Sequence, residues 1–309
     1  MEEKNKVSWA TIFAVVSVWF GAHAGGGFAS GNQSRNFFTQ FGWPAIFTPV
    51  LAMFILALVY RIILIMCNQH GCNNYNDWSH KLYAPYDRVI SPVYEVCNLG
   101  AGMLATSASI AGASAIVQST FNIPYMPAVI IMSILTIVVS MYGASVISKV
   151  STVLVILIVI ATTSIGLLAI ANQGGTILND IQTGYAPQGV GPAIWKSITY
   201  ASFQIFSLIG TFGVALNLKN EEACNKAAIM GFFVNASMLL LNALTVWAFR
   251  EQIANAEIPI LEISKLLKVP VLSTLYTVSL FSAFLSTAAA VVFGTKKIKD
   301  FNVKAKKSE

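Results

Sequence analysis

Five glycines crowd the stretch Trp19 to Gln33, WFGAHAGGGFASGNQ, at Gly21, Gly25, Gly26, Gly27 and Gly31, with one histidine, His23, among them. A glycine inside a helix costs about 1 kcal/mol relative to alanine, so this stretch is expected to interrupt the helix around it. An interrupted backbone offers carbonyl oxygens to a cation and N–H groups to an anion. As a neutral imidazole, His23 can bond a solute or relay a proton; it can equally be a satisfied polar group in a core. A second candidate break, Phe206-Ser207-Leu208-Ile209-Gly210-Thr211-Phe212-Gly213, stands far along the chain. No GxxxxGK[ST] phosphate loop and no HExxH occur, and the glycine cluster is not in a strand-turn-helix context, so no enzymatic chemistry is expected. Cys67, Cys72, His70 and His80 are too irregularly spaced for a zinc site. All four cysteines are expected to be free thiols in a reducing setting.

The elements that position these residues follow from composition. Of the 309 residues, 56% are hydrophobic and 10% charged, against roughly 25% charged in soluble domains. The mean hydropathy is +0.68. Apolar runs at 8–41, 43–66, 89–119, 124–144, 147–171, 193–217, 223–249 and 270–295 predict eight membrane spans, each near the ~20 residues a bilayer requires. They are continuous rather than alternating, so a barrel is excluded and the fold class is an all-α integral membrane protein. The net charge of +6 is scattered between the spans rather than gathered on one face, so nucleic acid is not an expected partner and the lipid bilayer is.

With the N-terminus inside, fourteen of the nineteen Lys and Arg fall on the cytoplasmic side and only Arg35, Lys196, Arg250, Lys265 and Lys268 outside. Retention of positive charge inside therefore predicts a multi-pass protein of the cytoplasmic (inner) membrane with both termini cytoplasmic. Trp9, Trp43, Trp78, Trp195 and Trp247 are expected at the headgroup layer, and Trp19 is the exception. The loop carrying Trp78, Leu82, Tyr83 and Tyr86 is expected to lie flat on the inner surface as an amphipathic segment.

At membrane depth, non-helical backbone is tolerated where it is buried or lines a cavity, so a glycine-rich break in a long span points to a binding site. Two other readings compete. Lys4 and Lys6, the apolar Trp9 to Phe20 and the Ala22-His23-Ala24 triplet imitate a signal peptide, but apolar character resumes at Phe28 and leads into the second span. Small residues also serve close helix packing. Interruptions in the first and sixth spans occupy corresponding positions if the chain is two inverted five-span repeats, a pairing that marks transporter sites. Gln204, Asn235 and Asn242 lie within the sixth and seventh spans, either facing a pore or bonding between helices. No Asp or Glu falls in the middle of a span, which leaves a carboxylate proton relay without a carrier.

These features resemble the LeuT-type transporter fold of the amino acid, polyamine and organocation superfamily. The segment Gly25 to Gln33, GGGFASGNQ, resembles the GAGFASGQE signature of YkvI-like bacterial membrane proteins. The resemblance implies an inverted-repeat bundle, with 1–172 as the first five-span repeat and 173–309 as an incomplete second repeat of three spans and a basic tail. It implies a sodium ion held by the carbonyls of Gly21 and Ala24 and by the Ala283-Phe284-Leu285-Ser286-Thr287 segment, through the Ala283 carbonyl and the hydroxyls of Ser286 and Thr287. Ser and Thr in spans also bond back to their own helix. It implies a small-molecule solute, amino-acid-like, lined by His23, Gly25, Gly26, Gly27, Phe206, Ser207 and Gly210. Spans 1, 2, 6 and 7 would form a moving bundle and spans 3, 4, 5 and 8 a scaffold. The expected function is sodium-coupled secondary transport, with Na+ the only cofactor-like species. The last two spans of the ten are missing, so a homodimer, a partner subunit or a non-transporting sensor or assembly role are also implied.

Overall fold

The computed structural model describes residues 7–72, 74–141 and 144–305; the side chains of 144–155, 286 and 289–305 lie outside that description. Among the described residues twelve α-helices run in order: α1 (Trp9–His23), α2 (Gly26–Ala29), α3 (Asn32–Phe37), α4 (Thr48–His70), α5 (Tyr75–Tyr83), α6 (Asp87–Phe121), α7 (Tyr125–Met141), α8 (Ala144–Gln182), α9 (Val190–Gln204), α10 (Glu221–Ala248), α11 (Pro259–Leu266) and α12 (Pro270–Ala305). Among the described residues no strand occurs. Among the described residues four segments are long and apolar enough to cross a bilayer: Thr48–His70, Asp87–Phe121, Ile156–Gln182 and Glu221–Ala248. Trp9–His23, Tyr125–Met141 and Pro270–Leu285 are shorter apolar helices. The chain is thus an all-α protein with helices fit to span a membrane.

Local chemistry sets the ends. Ser8 caps α1 by accepting from the Thr11 N–H at 3.1 Å, and Asn74 caps α5 by accepting from Asp77 N–H at 2.9 Å. Asn220 accepts from Ala223 N–H at 2.8 Å where α10 begins. Gly71, at φ 67°, closes α4 in the left-handed conformation that glycine adopts without strain. Pro259 opens α11, where a missing N–H costs nothing. Gly42 has φ 74°, and a Cβ there would lie 2.0 Å from the Tyr185 carbonyl oxygen, which accepts from Trp43 N–H.

The chain divides into two compact units. The first comprises residues 1–24, 34–98 and 173–248, and the second 25–33, 99–172 and 249–309. In the first, α4 packs along α10 and α9, and α1 packs along α10. Gly231 of α10 admits the Trp19 ring, since a Cβ there would meet Trp19 Cζ3 at 2.6 Å. Trp19 in turn lies against Tyr60 with ring centroids 4.4 Å apart. In the second, α12 packs against α7, α11 and α2.

Several expectations are corrected. The fifth span was to end at residue 171, yet α8 continues to Gln182 beyond a kink at Gln173, φ −131°. The glycine pair Gly174-Gly175 beside it is a recognised cause of such a bend. Trp9 and Trp195 are 64% and 69% exposed, as headgroup-layer tryptophans would be. Trp78 and Trp247 instead are buried within the protein. Trp78 packs on Phe212 at 5.4 Å, so the α5 segment does not turn its indole outward. Helix α11 has no counterpart among the expected spans.

Candidate functional site

Both sequence interruptions end an α-helix. The hydrogen-bond ladder of α1 closes with Ala24 N–H on the Phe20 carbonyl at 2.8 Å, and Gly25 then turns extended at ψ −179°. A helix end leaves its last carbonyls outside the ladder, here those of Gly21, Ala22 and His23. The second interruption converts α9 into a nine-residue 3-10 helix, Ile205–Gly213, followed by a further 3-10 turn at Ala215–Leu218. Runs beyond three or four residues of this geometry are uncommon and mark hinges or strain. Within the first unit α1 packs against Ile205–Gly213, and a Cβ on Gly210 would stand 3.3 Å from Val18 Cγ1.

His23 lies at the end of α1, 2% exposed, and both ring nitrogens have protein partners. Nδ1 is 2.8 Å from Asn235 Oδ1, and Nε2 is 2.9 Å from the Tyr200 hydroxyl. The neighbours fix the tautomer. Asn235 Nδ2 donates to the Gly231 carbonyl at 2.8 Å, which leaves its Oδ1 as acceptor, so His23 Nδ1 carries the proton. Gln204 Nε2 donates to the Tyr200 oxygen at 3.1 Å, so the Tyr200 hydroxyl donates to Nε2. The result is one polarised chain, Gln204 to Tyr200 to His23 to Asn235, joining α9, α1 and α10 around a neutral imidazole. Of the two readings of His23, the geometry is that of a satisfied polar strut. Asn235 bonds across helices to His23, Gln204 bonds within α9 to Tyr200, and Asn242 accepts from Ser34 Oγ at 2.6 Å.

The other expected residues divide between the units. In the first, Gly21 is half-buried and Ala24 buried. Ser207 is buried and its hydroxyl donates back to the Gln204 carbonyl at 2.6 Å. Phe206 packs tilted against Phe203, with ring centroids 5.7 Å apart. In the second, Gly26 faces the Phe284 ring so closely that a Cβ would lie 2.2 Å from Cδ1, and a Cβ on Gly112 would lie 2.3 Å from Cζ of the same ring. A Cβ on Gly27 would meet Gln33 Nε2 at 2.8 Å. The Gly26 position is therefore explained by close packing. Ala283 is buried and Thr287 half-buried on α12, while the Ser286 side chain lies outside the described residues. The segment after the break is tied down by Tyr276, whose hydroxyl donates to the Ala29 carbonyl, and by Ile260 N–H, which donates to Ser30 at 3.1 Å.

Sequence reasoning missed several of these groups. Tyr200 gave no signal beyond being a tyrosine in a span. Asp180 is 1% exposed, with its Oδ2 accepting from Trp247 Nε1 at 2.8 Å. Trp19 Nε1 and Thr211 Oγ1 are buried without a hydrogen-bond partner among the described residues, one on each of the two interrupted elements. Burial and then the nearby Asp77 carboxylate push the Cys72 thiol above its ordinary value, which disfavours the thiolate a metal requires. Among the described residues no group of three His, Cys, Asp or Glu could hold a metal ion, and the four cysteines are unpaired. No family model and no curated protein matches the chain.

Proposed function

We propose that this protein is a secondary transporter of LeuT-like fold in the cytoplasmic membrane, a symporter that couples sodium to an amino acid or similar small solute. The observation that carries the reading is that α1, which stops at the first interruption, packs within the first unit against the nine-residue 3-10 stretch where α9 stops. Each of these two elements holds a buried polar atom without a hydrogen-bond partner among the described residues, Trp19 Nε1 and Thr211 Oγ1. Leaving such a group unmade costs about 1–3 kcal/mol, a cost that a bound solute with a polar group would relieve. The grouping of α1, α4, α9 and α10 in one unit and of α7, α11 and α12 in the other supports a bundle-and-scaffold division of labour. Sodium coupling rests on the Ala283 to Thr287 motif.

The test is thermal unfolding of the detergent-purified protein across a panel of amino acids and small solutes, each in sodium and in potassium, because a ligand of the folded state raises apparent stability. The expected outcome is a solute-dependent rise in melting temperature in sodium that disappears in Thr287→Ala. A rise of equal size in potassium removes the coupling, and the absence of a rise with any solute, followed by no uptake into proteoliposomes, removes transport.

A further inference from the structure

An open groove of about 450 Å³ runs between α4 and α10 in the first unit. Its floor is Ala57 and Ala228, both buried, and its walls include Phe54 and Phe233, which are 51% and 65% exposed. The helices run antiparallel here: Phe54 meets Phe232 edge-on at 6.1 Å, and seven residues away on each helix Arg61 Nε donates to Asn225 Oδ1 at 2.6 Å. At 1.5 Å per residue the groove is about 10 Å long. One end is apolar and the other charged.

The charged end lies level with the first turn of α10. Arg61 Nη2 donates to Glu221 Oε1 at 3.3 Å, and Glu221 is the first residue of that helix. These two bonds use two of the five guanidinium donors. The other three belong to a side chain that lines the groove and is 43% exposed. In a bilayer this places a guanidinium and a carboxylate side by side at the headgroup layer, above an apolar channel that descends toward the hydrocarbon.

We propose that this groove holds one phospholipid of the ethanolamine type, with an acyl chain over Ala57 and Ala228, its phosphate on Arg61 and its ammonium on Glu221. A guanidinium with unused donors suits a phosphate oxygen pair. The adjacent carboxylate selects a headgroup whose positive charge carries N–H donors, which ethanolamine has and choline lacks, and an anionic headgroup without an amine would bring its phosphate against Glu221 unopposed. The alanine floor between phenylalanine walls selects a single chain over the flat packing of bulk lipid. The inference depends on the membrane reading and is independent of transport.

The full chain, reconstituted in nanodiscs of equal parts phosphatidylethanolamine, phosphatidylglycerol and phosphatidylcholine, is released and its retained lipids counted by native mass spectrometry. One phosphatidylethanolamine is expected to survive release. Arg61→Gln and Ala228→Leu are each expected to lower its retention about tenfold, equivalent to 1.4 kcal/mol. Glu221→Gln is expected to shift the preference toward phosphatidylglycerol. Ala228→Leu fills the floor without removing any hydrogen bond, so it decides the matter even where Arg61→Gln fails to fold. Equal retention in Ala228→Leu, a preference of the unaltered protein for phosphatidylglycerol or phosphatidylcholine, or a second copy of the chain cross-linking through Phe233→Cys in the absence of lipid would each overturn the proposal.

Discussion

The two flanks of the first break are held by opposite kinds of force. Before it, His23 is tied by hydrogen bonds to Asn235 and Tyr200. After it, Gly26 is held by the face of one aromatic ring, Phe284, which also presses on Gly112. A hydrogen bond tolerates rotation of its partners and can be exchanged for another donor or acceptor. A ring wedged between two glycines has no such alternative, because interiors are packed near crystal density. The flank before the break is thus built to be remade, and the flank after it to stay fixed.

The contrast predicts a large difference in mutational cost. Gly26→Ala is expected to destabilise by about 3 kcal/mol, the upper part of the range for overpacking, with Gly112→Ala similar. Phe284→Leu should recover part of the loss in the double variant, since neighbours that share a clash are not additive. Unchanged melting of Gly26→Ala would break the comparison. His23→Ala is expected to cost about 2 kcal/mol by leaving the Tyr200 hydroxyl and Asn235 Oδ1 buried and unpaired. Tyr200→Phe should cost about 1 kcal/mol, and a double-mutant cycle of the two should show coupling above ~0.5 kcal/mol, as expected of one network. An additive result would mean that the polar chain does not act as a unit. All of these are read from thermal or denaturant unfolding.

How far the sequence revealed this depends on whether the cause was local. The break at Gly25 and the loss of α-helix at Ile205–Gly213 were legible because glycine and small-residue runs act on their own backbone. The role of Tyr200 was not, because its partner lies 177 residues away. The purpose of Gly26 stayed open between site and packing until the Phe284 ring was seen against it. Trp78 and Trp247 sit near span ends, as an interfacial indole would, and their burial depends on Phe212 and Asp180 from distant elements. Helix α11 did carry a local signal, Pro259 at its start with Glu262 in its first turn, but eight residues are too few for the periodicity that identifies a span.

The smallest expected effect on stability is the most informative about function. Ser207→Ala removes only a hydroxyl that bonds back to its own helix and should change stability by less than ~0.5 kcal/mol. Thr211→Val goes further, because the Thr211 hydroxyl is buried with no hydrogen-bond partner among the described residues. Replacing an unpaired hydroxyl by a methyl of the same shape relieves a desolvation cost rather than removing a bond, so the solute-free protein should melt at the same temperature or slightly higher. If that hydroxyl is kept for a solute, the same variant must lose part of the solute-dependent rise in melting temperature. Equal rises in Thr211→Val and the unaltered protein would assign the orphaned hydroxyl to packing alone and would remove the 3-10 stretch from the solute site, while leaving the rigid flank at Gly26 untouched.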